Sequence, residues 1–252
     1  MQKYIIPNLK NACRVLKYLG ESETGETIGT ITSDLEVPRT TVLRILTTLV
    51  SEEFVSLKEK KYSLGGSMIQ LGITAMNSLD LQSLARPILE ELSIDAQETS
   101  HLAVPTGYNT LIQDVVDSPN PVRASSRPGA IAPLHCSSTG KLFLAYKFAE
   151  KVDEIYATTP ISVLTDKTAS TVDQIKSNIK KTLETGCGLD DEEYAIGVRC
   201  IAAPIYNAQG DVVAAIGITA STSTFTKKRI STMSKKVKLA ASKVSVLLGS
   251  SC

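Results

Sequence analysis

Two arginines and three threonines between residues 39 and 47 have the side-chain chemistry to bind nucleic acid. They are Arg39, Thr40, Thr41, Arg44 and Thr47, and Leu43 lies among them. A guanidinium pairs with guanine through two hydrogen bonds, threonine hydroxyls bond bases or phosphates, and a leucine can contact the thymine methyl group. No Asp or Glu occurs between residues 37 and 51. The set predicts contacts in a major groove, unless it is only a solvated helix face.

Lysines follow this set closely along the chain. Lys58, Lys60 and Lys61 surround the single acid Glu59. Lysine neutralises phosphate without reading the base sequence. The three lysines therefore predict contacts with a nucleic-acid backbone.

A second set of residues could hold a small molecule. Residues 137–140 read Ser-Ser-Thr-Gly, which is typical of a helix start. Free backbone N–H groups and the helix dipole there favour an anion such as a carboxylate, although the serines could also serve only as caps. Asp190 opens an acidic run that either accepts ligand hydroxyls or forms a solvated loop.

The cysteines and histidines permit two alternative functions. Cys136 or Cys200 could be the nucleophile of a hydrolase or transferase, and His101, His135 and either cysteine could bind a metal, as in a metal-sensing regulator. However, no C-x-x-C or H-x-x-x-H spacing occurs. Neighbouring residues such as His135 and Cys136 point in different directions, and a cysteine in an apolar strand is typically a buried thiol. We therefore expect no enzyme, no metal and no cofactor.

Three helices and a hairpin are predicted to position the first set. Apolar residues at positions 9, 12, 13, 16 and 19 fall at helical spacing, and Gly20 ends that helix. A short helix over residues 28–35 and a third helix beginning after Pro38 are joined by a tight turn, which predicts a helix-turn-helix. Residues 54–57 and 62–65 alternate apolar and polar residues and predict a hairpin with the lysines at its tip.

The second set belongs to a region of mixed strands and helices. Residues 66–78 predict a connecting helix, and a long helix follows from residue 81 to about 96. Strands are predicted over residues 101–104, 110–116, 122–126, 201–206 and 212–220, and residues 207–210 form a hairpin turn. Further helices are predicted from residue 137, over residues 172–183, and in the tail 224–252, which has seven basic and no acidic residues. The absence of regular βαβ alternation predicts an α+β fold.

Composition sets the broad class. The 252 residues are 42% hydrophobic and 21% charged, with a net charge of +1, which excludes extensive disorder. No apolar run approaches the ~20 residues that span a bilayer, so we expect no membrane contact and a cytoplasmic protein. Five widely spaced cysteines predict reduced thiols.

The N-terminal motifs resemble the winged helix-turn-helix of the IclR family of bacterial transcription regulators. They are Thr40-Thr41-Val42-x-Arg44-x-Leu46-x-x-Leu49 and Tyr62-x-Leu64-Gly65. The turn departs from the family pattern, because Glu36 stands where the family commonly has Gly. A left-handed conformation there would cost a residue with a Cβ roughly 1 to 2 kcal/mol.

Two further motifs resemble the effector-binding domain of the same family. They are Gly129-x-x-x-Pro133-Leu134-His135-Cys136-Ser137-Ser138-Thr139-Gly140-Lys141 and Gly188-x-Asp190-Asp191-Glu192-Glu193-x-x-x-Gly197-Val198-Arg199-Cys200-Ile201-Ala202-Ala203-Pro204-Ile205. The resemblance implies a GAF-like domain with an antiparallel sheet that holds a small molecule. The effector contacts that it implies are Ser138, Thr139, Asp190, Cys200, Gly217 and Thr219. Of these, Gly217 and Thr219 follow only from their spacing after Cys200.

These observations combine into one expected organisation. Residues 1–65 form a winged helix-turn-helix, residues 66–78 a linker helix, and residues 79–252 an effector-binding domain with an α+β fold. We expect a regulator that binds double-stranded operator DNA as a homodimer or homotetramer and responds to a small organic or sugar acid. The effector is expected to change the spacing of paired DNA-binding domains through the linker helix.

Overall fold

The computed structural model of the chain describes residues 4–78 and 80–250. Contacts along the chain separate two compact units, with the bounds Met1–Leu79 and Asp80–Cys252. Each unit has its own hydrophobic core.

The first unit contains helices and one hairpin. Its elements are α1 (Pro7–Gly20), α2 (Ile28–Leu35), α3 (Arg39–Ser51), β1 (Val55–Lys58), β2 (Lys61–Leu64) and α4 (Gly66–Ser78). Residues at helical spacing bury one stripe of each of the first three helices, and Val15, Leu19, Ile31, Val42 and Leu46 meet in the core. The predicted helix-turn-helix and hairpin are confirmed.

The turn between α2 and α3 adopts a conformation that favours glycine. Glu36 has φ 53° and ψ 38°, which is left-handed, and its amide donates to the carbonyl of Ser33 at 3.3 Å. Arg14 of α1 donates to the carbonyl of Leu35 at 2.8 Å, and the next side chain, Val37, is buried. Packing and this hydrogen bond therefore hold Glu36 in a conformation that costs a residue with a Cβ roughly 1 to 2 kcal/mol.

We expect the substitution Glu36→Gly to stabilise the first unit by up to about 1 kcal/mol, because glycine adopts a positive φ without steric cost. The greater freedom of glycine in the unfolded chain offsets part of the gain. Hydrogen exchange of the α2 and α3 amides in the full chain measures the change. Glu36→Ala is the matched control, since it removes the carboxylate and keeps the Cβ. Equal protection in both variants would show that no backbone strain is relieved at this position.

The hairpin has a two-residue turn. Its strands pair antiparallel from Val55 opposite Leu64 to Lys58 opposite Lys61. Glu59 and Lys60 both have positive φ, 52° and 62°, as a type I′ turn requires. This turn places the lysines at the exposed tip of the hairpin.

The second unit is built on a six-stranded antiparallel sheet with the strand order β5-β4-β3-β8-β7-β6. The strands are β3 (Thr99–Thr106), β4 (Asn109–Val116), β5 (Ile131–Pro133), β6 (Gly188–Asp191), β7 (Val198–Tyr206) and β8 (Val212–Ser221). The helices are α5 (Leu81–Ala96), α6 (Ser138–Lys147), α7 (Val152–Thr158), α8 (Val172–Thr185) and α9 (Ile230–Leu247). One apolar cluster joins α5 and α9 to the sheet, and another joins α6, α7 and α8 to it. The predicted α+β fold is confirmed.

One predicted strand is wrong. Residues 122–126 form no strand, and the side chain of Val122 is 86% exposed. Pro119, Pro121 and Pro128 flank this segment and provide no amide donors for a sheet ladder. The segment instead runs irregularly from the end of β4 towards β5.

Candidate functional site

The exposed face of α3 carries most of the residues predicted to contact nucleic acid. Arg39, Thr40, Leu43, Arg44 and Thr47 are all exposed, while Val42, Ile45 and Leu46 are buried on the opposite face. Leu43 leaves 49% of its surface exposed. Because an α-helix turns by about 100° per residue, these five residues form one continuous surface of α3.

Thr41 lies beside this surface. It is half-buried and lines a groove between α1 and α3 that Leu9, Ala12 and Arg44 also line. Thr47 donates its hydroxyl proton to the carbonyl of Leu43 at 2.8 Å, so its oxygen stays available as an acceptor. The structure therefore brings Arg39, Thr40, Leu43, Arg44 and Thr47 together and places Thr41 at their margin.

The charges of this surface are not neutralised within the unit. Arg39, Arg44, Lys58, Lys60 and Lys61 are exposed, and none takes part in an ion pair among the residues that the structure describes. Unpaired cations on a helix and on a neighbouring hairpin form the cationic surface that phosphate binding requires.

The second unit contains a cavity of about 370 Å³ between the sheet, the start of α6 and the irregular segment before β5. Alanine, isoleucine and valine side chains line much of it. The polar and charged lining residues are His101, Ser125, Ser126, Arg127, Ser137, Ser138, Thr139, Asp190, Tyr194, Cys200 and Thr219. A concave site with a mostly apolar wall and a few convergent polar groups is typical of small-molecule binding.

Strand register aligns the polar groups of the cavity wall. Asp190 of β6 stands opposite Cys200 of β7, and Cys200 stands opposite Thr219 of β8. Directly opposed residues project from the same face of a sheet. The Thr219 hydroxyl accepts from the Ser126 hydroxyl at 3.2 Å and lies 3.3 Å from Nδ1 of His101. Five residues that are distant in sequence therefore share one wall.

Asp190 is buried, with 1% of its surface exposed. Its Oδ1 accepts hydrogen bonds from the amides of Glu193 at 2.8 Å and Tyr194 at 3.2 Å. These bonds favour the carboxylate, but burial outweighs them and raises the pKa of Asp190 to about 7. Asp190 therefore has two roles. It fixes the loop of residues 192–197 between β6 and β7, called the acidic loop below, and it presents a titratable group to the cavity.

Burial also sets the ionisation of the neighbouring histidine and cysteines. It lowers the pKa of His101 to about 4, so this ring is neutral at pH 7. It raises the pKa of the Cys200 thiol, and it raises that of the Cys136 thiol to about 12. Protonated thiols are weak nucleophiles and poor metal ligands.

The alternative functions find no support in this geometry. Cys136 is fully buried, and Nε2 of His135 lies 2.9 Å from the carbonyl oxygen of Ser162. Within residues 4–78 and 80–250, neither Cys136 nor Cys200 is hydrogen-bonded to a histidine. In the same ranges no group of three or more His, Cys, Asp or Glu residues is arranged to hold a metal.

The helix predicted from residue 137 is present as α6, and its start faces the cavity. Ser137 caps the helix, because its hydroxyl accepts from the amide of Gly140 at 3.1 Å and its carbonyl accepts from Lys141 at 3.0 Å. Ser137 therefore both caps the first turn and lines the cavity, which Ser138 and Thr139 also line.

Two glycines allow the close packing around the cavity. A Cβ on Gly188 would overlap the carbonyl oxygen of Ser138, so only glycine lets β6 approach the start of α6 this closely. A Cβ on Gly217 would lie 3.0 Å from Nε2 of His101 and 2.6 Å from the carbonyl oxygen of Ile201. Gly217 does not line the cavity, in contrast to the predicted contact. Its contribution is the space that it leaves for the ring of His101.

The sequence did not indicate six of the polar lining residues as ligand contacts, namely His101, Ser125, Ser126, Arg127, Ser137 and Tyr194. His101 lies in a predicted strand, but its position beside Thr219 could have been recognised only from the strand order. Ser126 and Arg127 lie in an irregular segment where no periodicity indicates the direction of a side chain.

No helix of the described residues is long and apolar enough to cross a membrane.

Two family models match the chain. The "IclR helix-turn-helix domain" matches residues 9–58, and "Bacterial transcriptional regulator IclR C-terminal" matches residues 73–246. The chain is 27% identical to the "Transcriptional repressor IclR" of Escherichia coli K12 over 248 residues, which are 97% of this chain and 90% of that protein. It is also 27% identical to the "HTH-type transcriptional repressor AllR" of the same organism over 243 residues, or 96% of this chain and 90% of the relative.

Solved structures share the fold. An IclR transcriptional regulator from Silicibacter has a TM-score of 0.88 and 24% identity, and the match covers 97% of both chains. The repressor BlcR of Agobacterium tumefaciens has a TM-score of 0.86 and 21% identity, with 98% of this chain and 99% of BlcR covered. The two family models together define a DNA-binding transcription regulator with a helix-turn-helix domain and a second domain. The chain belongs to the IclR family of bacterial transcriptional regulators.

Proposed function

We propose that the chain is a repressor that binds a pseudo-palindromic operator as a symmetric oligomer, under the control of a small organic or sugar acid. Relatives that are named as repressors support the direction of regulation. A two-fold axis in the protein would match two half-sites in the operator. In this proposal residues 1–65 bind DNA, residues 66–78 form the linker, and residues 79–252 bind the effector.

The exposed face of α3 is the observation that carries the proposal. It presents two unpaired arginines together with hydroxyl groups and Leu43, and no carboxylate occurs from residue 37 to residue 51. Bidentate contacts of arginine with guanine are the commonest specific contacts in a major groove. The hairpin lysines would add sequence-independent contacts with phosphates.

Two features of the cavity support an anionic effector. Arg127 is the one lysine or arginine among the lining residues of the described chain, and it forms no ion pair there. The first turn of α6 contributes the positive end of its dipole. It also contributes the amides of Ser138 and Thr139, because Ser137 accepts hydrogen bonds only from the later amides of Gly140 and Lys141. We propose Ser138, Thr139, Asp190, Cys200, Thr219, His101 and Arg127 as the effector-binding residues.

Selection of bound fragments from the genome of origin tests the DNA-binding part. The purified chain is incubated with sheared genomic DNA and excess nonspecific competitor, and bound fragments are sequenced and footprinted. We expect protection of two inverted half-sites with centres about one helical turn, or a multiple of it, apart. Affinity for such a fragment should exceed that for bulk DNA by about 10³-fold or more. Fragments enriched no better than bulk DNA would refute sequence-specific binding.

A further inference from the structure

Asp190 is a buried carboxyl group in the wall of the cavity. Its Oδ1 is held by two amides of the acidic loop, and its carboxyl group contacts the thiol of Cys200 on the neighbouring strand. Asp190 also lines the cavity, where an effector would lie beside it. A ligand in this cavity therefore meets a carboxyl group that water barely reaches.

The charged and titratable groups around Asp190 come from every element that packs against it. Lys141 of α6 attracts its charge, but the ammonium is already bound by Glu193 and by the carbonyl of Leu189 at 2.7 Å. Glu193 of the acidic loop repels it. The thiols of Cys136 and Cys200 are protonated, and His101 of β3 is neutral. Tyr194 and Arg127 also line the cavity. Among these groups, Asp190 is the one whose pKa is raised to about 7, so that its charge changes near neutral pH.

We propose that the cavity binds its anionic effector together with one proton, which Asp190 takes up. This inference rests on the proposed function, because it assumes a carboxylate ligand. A second carboxylate beside Asp190 repels the ionised form, and a protonated Asp190 can donate a short, charge-assisted hydrogen bond to it. In this step the anionic effector, L⁻, enters the cavity and one proton binds to the Asp190 carboxylate. The product is an Asp190 carboxylic acid that donates a hydrogen bond to L⁻. No other bond forms or breaks.

The direction of the pH dependence follows from linkage. Burial already raises the pKa of Asp190 to about 7 in the unliganded protein, and a bound anion raises this pKa further. Below pH 7 Asp190 is protonated in both states, so affinity is constant. As the pH rises above 7, the unliganded protein loses this proton while the complex retains it. Affinity for the anion therefore falls, by at most tenfold per pH unit, until the pH reaches the pKa of the complex.

Acetate serves as the probe, because it is a minimal carboxylate that is ionised throughout the range from pH 6 to 8.5. NMR spectra of the full chain, with ¹³C in the aspartate carboxyl groups, report the titration of Asp190 with and without saturating acetate. Amide shifts of Ser138 and Thr139 report binding at the start of α6. We expect acetate to raise the titration midpoint of Asp190 by at least 1.5 pH units and to bind at least tenfold more weakly at pH 8.5 than at pH 6.

The variant Asp190→Asn separates a proton effect from a structural one. Asparagine keeps an oxygen for the two loop amides and mimics the protonated acid, so acetate should bind this variant at least tenfold more tightly than the parent at pH 8.5. Its affinity should change less than twofold between pH 6 and 8.5. Asp166→Asn, at an exposed position, is the matched control and should retain the pH dependence of the parent.

Two results would overturn the inference, and they differ in scope. If acetate shifts the Ser138 and Thr139 amides but leaves the Asp190 midpoint unchanged, the cavity binds carboxylates without a proton, and only this inference fails. If saturating acetate shifts neither amide, the cavity does not accept a carboxylate, and the proposed effector class fails with it.

Discussion

Replacing Arg44 by alanine is expected to weaken operator binding by about 5- to 150-fold. A bidentate contact between arginine and guanine contributes roughly 1 to 3 kcal/mol of discrimination, and tenfold in affinity corresponds to 1.4 kcal/mol. Arg44 is exposed, forms no ion pair among the described residues, and lies beside Thr40 and Leu43 on the free face of α3. Fluorescence anisotropy with a labelled operator fragment measures the loss.

Two comparisons make this result specific. Lys180→Ala removes the same charge from an exposed position of α8, in the other unit, and should leave the affinity within about twofold. Lys60→Ala should weaken binding to all sequences alike and reduce the slope of log affinity against log salt by about 1, as expected for a phosphate contact. If Arg44→Ala binds no more weakly than Lys180→Ala, then α3 does not read the operator.

The second large effect is expected from Gly188→Ala, which should lower the free energy of unfolding by about 1 to 3 kcal/mol or more. The added methyl group would overlap the carbonyl oxygen of Ser138. Neither group can rotate away, because one belongs to the start of α6 and the other to β6. The strand and the helix must separate, so the cavity should also lose affinity for carboxylates.

Denaturant unfolding followed by far-ultraviolet circular dichroism measures this stability. Gly66→Ala is the control, because a Cβ at Gly66 meets no atom within 4 Å and the residue lies at the first position of α4. Alanine favours a helix over glycine, so the control should be as stable as the parent or slightly more stable. A Gly188→Ala variant with the stability of the parent would show that β6 and α6 do not depend on this close approach.

Local periodicity was sufficient to predict the elements that bury one stripe or one face. The spacing of apolar residues predicted α1, α2 and α3, and two runs of strongly β-forming residues predicted β7 and β8 with their turn at residues 207–210. The left-handed conformation of Glu36 could not be predicted from periodicity. A glutamate there indicates nothing left-handed, and the contacts of Arg14 and Val37 become visible only in the folded unit.

The candidate site could be predicted only in part, because most of it depends on strand order. Asp190 and Cys200 were named from motifs and Thr219 from its spacing after Cys200, and the structure aligns the three across β6, β7 and β8. Spacing along a strand cannot show which neighbouring strand supplies the next side chain, so His101 was missed. Spacing also suggested Gly217 as a contact, although its missing side chain serves to admit the ring of His101.

The most direct test of the whole account is the affinity of the effector measured with and without the operator. The ligand is the carboxylate that releases the isolated operator fragment most effectively in an anisotropy screen, and isothermal titration calorimetry gives its affinity for the free chain and for the complex with DNA. Coupling between two sites is typically about 1 to 3 kcal/mol and is reciprocal. The account therefore predicts 5- to 150-fold weaker binding of the carboxylate to the DNA complex. Equal affinity for both forms would contradict it.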